Sequence, residues 1–168
     1  IAINAQHIES QELYLQDSIL MQVDPNHVYK AGALFYVRTD YQILPGMSYQ
    51  NPDKTALIVQ AYQALLNDDT LANKLEDLID ADFKYIQELI SSSTTSEALR
   101  ITVTGADPTL PQLILDEIET HLSASTESIC AQLEDHTLTS IHYSASDLID
   151  NALLNTQLTS YQQLDTLY

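Results

Sequence analysis

Cations are the scarcest feature of this chain. Its 168 residues carry 6 Lys and Arg against 24 Asp and Glu, a formal net charge of -18. None of the six lies between Ile101 and Tyr168. A nucleic-acid ligand requires clustered cations that displace phosphate counterions, so nucleic acid is not an expected partner. A polybasic contact with anionic lipid is excluded on the same ground. There is one cysteine, Cys130, so no intrachain disulfide forms. Flanked by Ile129 and Ala131 in a helical pattern, it reads as a small apolar residue rather than a nucleophile. Only three glycines are present, and no GxxxxGK[ST], GxSxG or GxGxxG motif occurs. No apolar run approaches the roughly 18 residues that a membrane helix needs, and no signal peptide is evident.

What is present is an ordinary globular composition, 45% hydrophobic, long enough for one domain with a real core. The depletion of cations fits an acidic soluble protein. It fits equally a segment translocated beside a membrane span, because Lys and Arg are retained on the cytoplasmic side. The chain opens on Ile1 rather than Met, and Tyr168 falls inside a helical pattern without a stop signal, so both ends are expected to continue.

Periodicity divides the chain into alternating helices and strands. Ile8, Glu12 and Leu15 suggest a helix within residues 1–20, and Asp24-Pro25-Asn26 a turn. Tyr29 to Val37 alternates as a strand with both faces partly apolar. Asn51-Pro52-Asp53 predicts a helix start with Asn51 as cap, followed by the stripe Ile58, Ala61, Tyr62, Leu65 and Leu66. Asp68 and Asp69 open a second helix, and Asp82 caps a short third one running through Phe83, Ile86 and Ile90. Ser91 to Ser96 reads as a loop. Leu99, Ile101 and Val103 alternate with Arg100, Thr102 and Thr104 in the clearest half-buried strand. A helix follows through Leu110, Ile114, Ile118 and Leu122, starting either after Asp107 or at Pro111. Thr137 to Tyr143 predicts another strand, and Asp147 the cap of a final helix. The expected fold is α+β: a small sheet covered by helices in the order β-α-α-β-α-β. The last helix is mostly polar from Asn155 to Gln163, so it either solvates itself or pairs along a narrow seam.

No catalytic constellation emerges. His7, His27, His121, His136 and His142 lack metal-ligand spacing. His136 and His142 share one face of a regular strand, and with Asp135 they are the nearest approach to a metal site. Asp68-Asp69 and Glu134-Asp135 sit at helix ends, where capping accounts for them better than the carboxylate pair of a glycosidase. No catalytic, cofactor-binding or metal-ligating residue is therefore expected. Ten tyrosines raise the prospect of a carbohydrate-stacking surface. Tyr29, Tyr36, Tyr62 and Tyr85 fall in patterned elements that predict core or sheet packing. Tyr41 and Tyr49, flanking Pro45-Gly46, are the candidate surface contacts.

The segment Asp17 to Pro25 resembles the entry to the extracytoplasmic domain of chain-length determinant (Wzz-like) proteins of Gram-positive type. The likeness continues through Tyr29 to Val37, Tyr41-Gln42-Ile43-Leu44-Pro45 and Tyr49 to Asp53. Leu99 to Thr104 followed by Asp107-Pro108 is similar to a second block of that family, so the likeness spans roughly residues 15 to 150. The resemblance implies a single external domain over residues 1–168. It would comprise a juxtamembrane helix (1–20), an α/β base (21–146) and the start of a longer helix (147–168) projecting as a coiled-coil-like arm. It implies a homo-oligomer on the extracytoplasmic face of the cell membrane, a polysaccharide co-polymerase acting with the polymerase and export machinery. It also implies coupling to a cytoplasmic tyrosine kinase, and it supplies no catalytic residues. An extracellular ligand-sensing domain of a membrane receptor is the alternative, and a hydrolase using the acidic side chains is a third reading.

Overall fold

The computed structural model describes residues 2–46 and 52–167. The first helix, α1 (Ala2–Asp17), leads through a single 3-10 turn (Leu20–Gln22) into the long strand β1 (Val28–Thr39). Three helices follow, α2 (Thr55–Ala64), α3 (Asp69–Ile79) and α4 (Phe83–Gln87). A hairpin of β2 (Ile90–Thr94) and β3 (Ala98–Gly105) leads to α5 (Thr109–Gln132), then to β4 (His136–Leu148) and α6 (Asn151–Leu167). The α+β class and the sheet-with-helices architecture are as the periodicity predicts.

The sheet is four-stranded in the order β2-β3-β1-β4, and every pairing is antiparallel. Because β1 and β2 flank β3, and β3 and β4 flank β1, each of these pairs is parallel and non-adjacent, so neither can be joined by a tight turn. Each connection must cross over an intervening strand, and each carries helices. Two interleaved β-α-β units result, the split arrangement of ferredoxin-like folds. All the crossover helices lie on one face. There Ala31, Ala33, Phe35 and Val37 of β1 and Leu99, Ile101 and Val103 of β3 meet Ile58, Tyr62, Leu71, Leu75, Ile114, Ile118 and Leu122 in one buried cluster.

Several boundaries differ from the sequence expectation. The segment from Ser91 to Ser96 was expected as a loop, and the third helix was expected to reach Ile90; Ile90–Thr94 is instead strand β2. It lies at the sheet edge with four of its five residues exposed, so it needs no apolar alternation, which is the signal that marks a strand. Its turn is closed by Thr95, whose Oγ1 accepts from the Ala98 N–H at 3.0 Å. The last strand runs past Tyr143 to Leu148, and Asp147 does not cap α6. Asp147 adopts a left-handed backbone (φ 54), and Asp150 Oδ1 accepts from the Leu153 N–H at 2.9 Å. Asn51 lies outside the described residues. Helix α2 begins later, at Thr55, whose N–H and hydroxyl both donate to Asp53 Oδ1, at 3.0 and 2.6 Å. Asp82 precedes α4 but accepts no capping bond; Glu76 Oε1 takes the Phe83 N–H at 2.9 Å.

Two other starts follow the sequence reading. Asp68 caps α3, accepting from the Thr70 N–H at 3.1 Å. Asp107 Oδ1 accepts from the Thr109 N–H at 2.9 Å as α5 begins. Pro111 is the third residue of α5, where its missing N–H has no intrahelical partner to lose. Its ring packs on Gly105, filling the space that a Cβ there would occupy.

That contact fixes how β3 hands over to α5, and neither the proline ring nor the strand end can swing aside. Gly105→Ala is therefore expected to lower unfolding free energy by about 1–3 kcal/mol in urea denaturation. Adding Pro111→Ala should restore most of the loss; an undiminished loss in the double variant would place its origin elsewhere.

Candidate functional site

With every crossover helix on the Phe35 side, no helix among the described residues covers the opposite face of the sheet. The pairing register identifies its members. On β1 they are Lys30, Gly32, Leu34, Tyr36 and Arg38, flanked on β3 by Thr104, Thr102 and Arg100. Across β4 the same face presents Ala145, Tyr143, Ile141, Thr139 and Thr137. Ser91 and Ser93 of β2 extend it opposite Thr102 and Arg100. Arg38, Arg100, Thr137, Thr139 and Ile141 are exposed, and Leu34, Tyr36, Thr102 and Tyr143 are half-buried.

The centre of this face is organised by one aromatic ring. Gly32 has no Cβ, and the ring of Tyr143 lies across the strand in the space a Cβ would need. The Tyr143 hydroxyl is shared with Thr102 Oγ1 at 3.0 Å and accepts from an Arg100 guanidinium N–H at 3.2 Å. The guanidinium carbon lies 5.5 Å from the ring centroid, within cation–π range. Three of the six cations of the chain, Lys30, Arg38 and Arg100, thus stand on this face. From Lys30 to Arg38 none of the face positions on any strand carries a carboxylate. Lys30 is neutralised at its end of the face, bonding Asp150 Oδ2 at 2.9 Å. Arg38 has no ion-pair or hydrogen-bond partner among the described residues.

Tyr41 is half-buried in the segment after β1, its N–H donating to Thr39 Oγ1 at 3.4 Å, and Tyr49 lies outside the described residues. Tyr29, Tyr62 and Tyr85 are buried, as patterned positions predict. Tyr36 lies half-buried on the open face, and Tyr143 at its centre had no sequence signal beyond its place in a predicted strand. The alternating Arg100, Thr102 and Thr104 did mark one polar face of β3. What alternation could not supply was the register that brings Arg38 and Tyr143 to the same surface.

The other candidate groups are dispersed. His136 and His142 share the helix-covered face of β4, opposite Thr39 and Ala33. Six residues of strand hold them about 20 Å apart. His136 Nε2 lies 2.6 Å from the hydroxyl of buried Tyr62, which Thr126 also bonds; burial pushes that phenol above its usual pKa. His142 Nε2 meets Glu119 Oε2 at 2.7 Å. Cys130 is half-buried, its Sγ 3.4 Å from His136 Nδ1. His121 is buried with Nε2 3.2 Å from Asp68 Oδ2, close enough for an ion pair but without hydrogen-bond alignment. Asp68 and Asp69 open α3, while Glu134 and Asp135 follow α5. No group of three or more His, Cys, Asp or Glu among the described residues is placed to hold a metal ion.

The two terminal helices form a second surface. Asn4 Nδ2 donates to Leu167 O at 2.6 Å, and Gln11 Nε2 to Ser160 O at 2.8 Å, so α1 and α6 run antiparallel. Their inward residues recur at spacings of three and four: Ile8, Gln11 and Leu15 on α1, Leu153, Gln157, Ser160 and Leu164 on α6. Of the two expectations for the last helix, solvating itself or pairing along a narrow seam, α6 follows the second, with α1 as its partner. A groove of about 760 Å³ lies beside it, lined by His7, Tyr14, Gln162 and Thr166 among others. Among the described residues no helix is long and apolar enough to cross a membrane.

Comparison with known proteins finds no family model that matches the chain and no curated protein similar to it.

Asp150 links the two surfaces, capping α6 while pairing with Lys30. Burial raises its pKa, but the Leu153 N–H and the Lys30 ammonium more than offset this and hold the carboxyl below its usual range. The folded state therefore gains from ionised Asp150 above about pH 4, and loses that gain as pH falls through the lowered folded value. Asp150→Ala is expected to cost about 1 kcal/mol near neutrality, the ordinary loss of a cap. The Tm difference from the parent should narrow as pH falls below about 4; a gap independent of pH would show that the charge contributes nothing.

Proposed function

We propose that this chain is a non-catalytic scaffold domain, exposed on the extracytoplasmic face of a membrane, that regulates the chain length or export of a cell-surface polysaccharide. It acts by oligomerising around the polymerase and export machinery, and a cytoplasmic tyrosine kinase is a further partner through membrane segments outside the described residues. The observation that carries this reading is the antiparallel pairing of α1 and α6. Pairing Asn4 with Leu167 brings both helices out of the α/β base side by side, the geometry a domain bracketed by two membrane anchors requires. The resemblance of the segments Asp17 to Pro25 and Leu99 to Pro108 to chain-length determinants supports the same assignment. A fold of this topology hosts many functions, so the topology itself adds nothing.

The groove beside α1 and α6 favours a second reading, a ligand-sensing receptor domain. The segment after α6 in the complete gene product separates the two: a signalling module for the receptor, a second membrane span for the scaffold.

Deleting the gene in its host is expected to shift or broaden the length distribution of one surface polysaccharide on a gel, with incorporation of labelled sugar retained. Leu153→Asp, which breaks the packing of α6 on Val23 and Val28, should reproduce the shift in the full-length protein. An unchanged distribution after deletion overturns the reading.

A further inference from the structure

We propose that the open face of the sheet is a binding surface for an acidic glycan, a sugar chain bearing carboxylates, which lies across β3, β1 and β4 over Tyr143. The inference deepens the scaffold reading and rests on it only for where such a chain comes from.

Charge complementarity carries the choice of occupant. On a chain with net charge -18, a face that gathers Arg38 and Arg100 without an intervening carboxylate is a local exception. A guanidinium presents a planar fork that takes a carboxylate through two parallel hydrogen bonds. Tyr143 bonds one edge of the Arg100 fork, which holds that side chain over the sheet and leaves its remaining N–H groups for a ligand. Screening confines electrostatic influence to about 8–10 Å at physiological salt, so the field over the face is set by nearby groups: Arg38 and Arg100 on it, and Asp40 and Asp135 just past its Arg38 end.

The remaining chemistry selects a sugar over an acidic protein surface. Protein interfaces centre on a desolvated apolar core. Here, among the described residues, the only exposed large apolar side chain is Ile141, with half-buried Leu34 beside it. The rest is a field of hydroxyls, with Ser91, Ser93, Thr102, Thr104, Thr137 and Thr139 all on this face. Hydroxyls that both donate and accept suit a polyhydroxylated ligand, and an aromatic ring laid across the strand offers its face to the C–H side of a sugar. Arg100 is opposite Leu34, and Arg38 is four residues further along β1. Strand geometry puts the two Cα atoms about 14 Å apart. A ligand that spans this separation along the sheet is a sugar chain, with carboxylates on more than one residue.

The test titrates the isotope-labelled domain with hexagalacturonate and follows its backbone amides by NMR. Shifts are expected at Gly32, Thr102, Ile141 and Tyr143, fading as salt is raised. Arg38→Gln and Arg100→Gln should each weaken Kd about tenfold. Both side chains are exposed, so the variants are expected to keep the parent spectrum away from the face. Lys74→Gln, on α3, should leave Kd unchanged. Gly32→Ala, which pushes the Tyr143 ring off the strand, should weaken binding without removing a charge. The proposal is overturned if no amides shift, if they shift equally with neutral maltohexaose, or if they lie on the helical layer. Equal binding of poly-glutamate also overturns it, making the face a site for acidic protein. Absent binding with a gene deletion that still alters polymer length sinks this inference alone. Binding at the face with unaltered polymer length sinks the scaffold reading and leaves the glycan surface standing.

Discussion

Strand β1 is hydrogen-bonded along both edges, to β3 through Tyr29–Tyr36 and to β4 through Lys30–Thr39, and both neighbours run against it. From this one constraint the layout of the molecule follows. With β1 between β3 and β4, and β3 between β2 and β1, the connections β1 to β2 and β3 to β4 must each cross a strand, so the chain spends its helices on them. Those helices share a face because β1 and β3 offer an apolar surface on only one side, from Ala31 to Val37 and from Leu99 to Val103. Burying that surface exhausts the crossover helices. The other side is left to cover itself, which it does with one tyrosine folded over one glycine.

The terminal helices are joined to this unit differently. They are held by a small apolar cluster of Val23, Val28 and Leu153, distinct from the main core. Around it polar groups set the register. The buried amide of Gln157 donates to Val23 O at 2.7 Å and Leu20 O at 3.2 Å, and Asp150 N–H donates to Pro25 O at 2.7 Å. A satisfied polar group in a narrow helical seam contributes less stability than an apolar one, but it penalises every other register. The α1–α6 pair is thus oriented relative to the sheet by hydrogen bonds that a slide of one turn would break. Tyr14 and Ser18 add a contact to α4 by sharing the Glu88 carboxylate; burial, then that carboxylate, holds the Tyr14 phenol above its usual pKa.

The strongly patterned parts of the fold were legible in the residues. Leu99, Ile101 and Val103 are buried as alternation requires, and Asp68 caps α3 as a carboxylate before a periodic stripe should. What escaped had no hydrophobic signature. An edge strand such as β2 buries almost nothing, so its serines read as a loop. Asp147 and Asp150 are chemically equivalent cap candidates, and only the continued pairing of β4 to Leu148 decides between them. The candidate surface was legible in pieces: polar alternation marked Arg100, Thr102 and Thr104, while the loop positions of Tyr41 and Tyr49 favoured them over Tyr36, whose patterned strand predicts packing. A sheet with one bare face reverses that preference, and bareness is a property of topology rather than of any local segment.

The charge distribution makes the same point quantitatively. Counted along the chain, the stretch after Arg100 has no cation, which argues against contact between that half and an acidic polymer. Counted across the sheet, the argument changes. Strand β4 belongs to the cation-free half, yet its Thr137 is paired with Arg38 and its Tyr143 accepts from Arg100. An anion over β4 meets these guanidiniums on the same face, with Asp40 and Asp135 at its far end, and the acids of α3 and α5 on the other side of the sheet. Net charge governs how copies of the molecule repel at long range. The field at a binding surface is set by the nearest few side chains, which antiparallel pairing assembles from distant parts of the sequence.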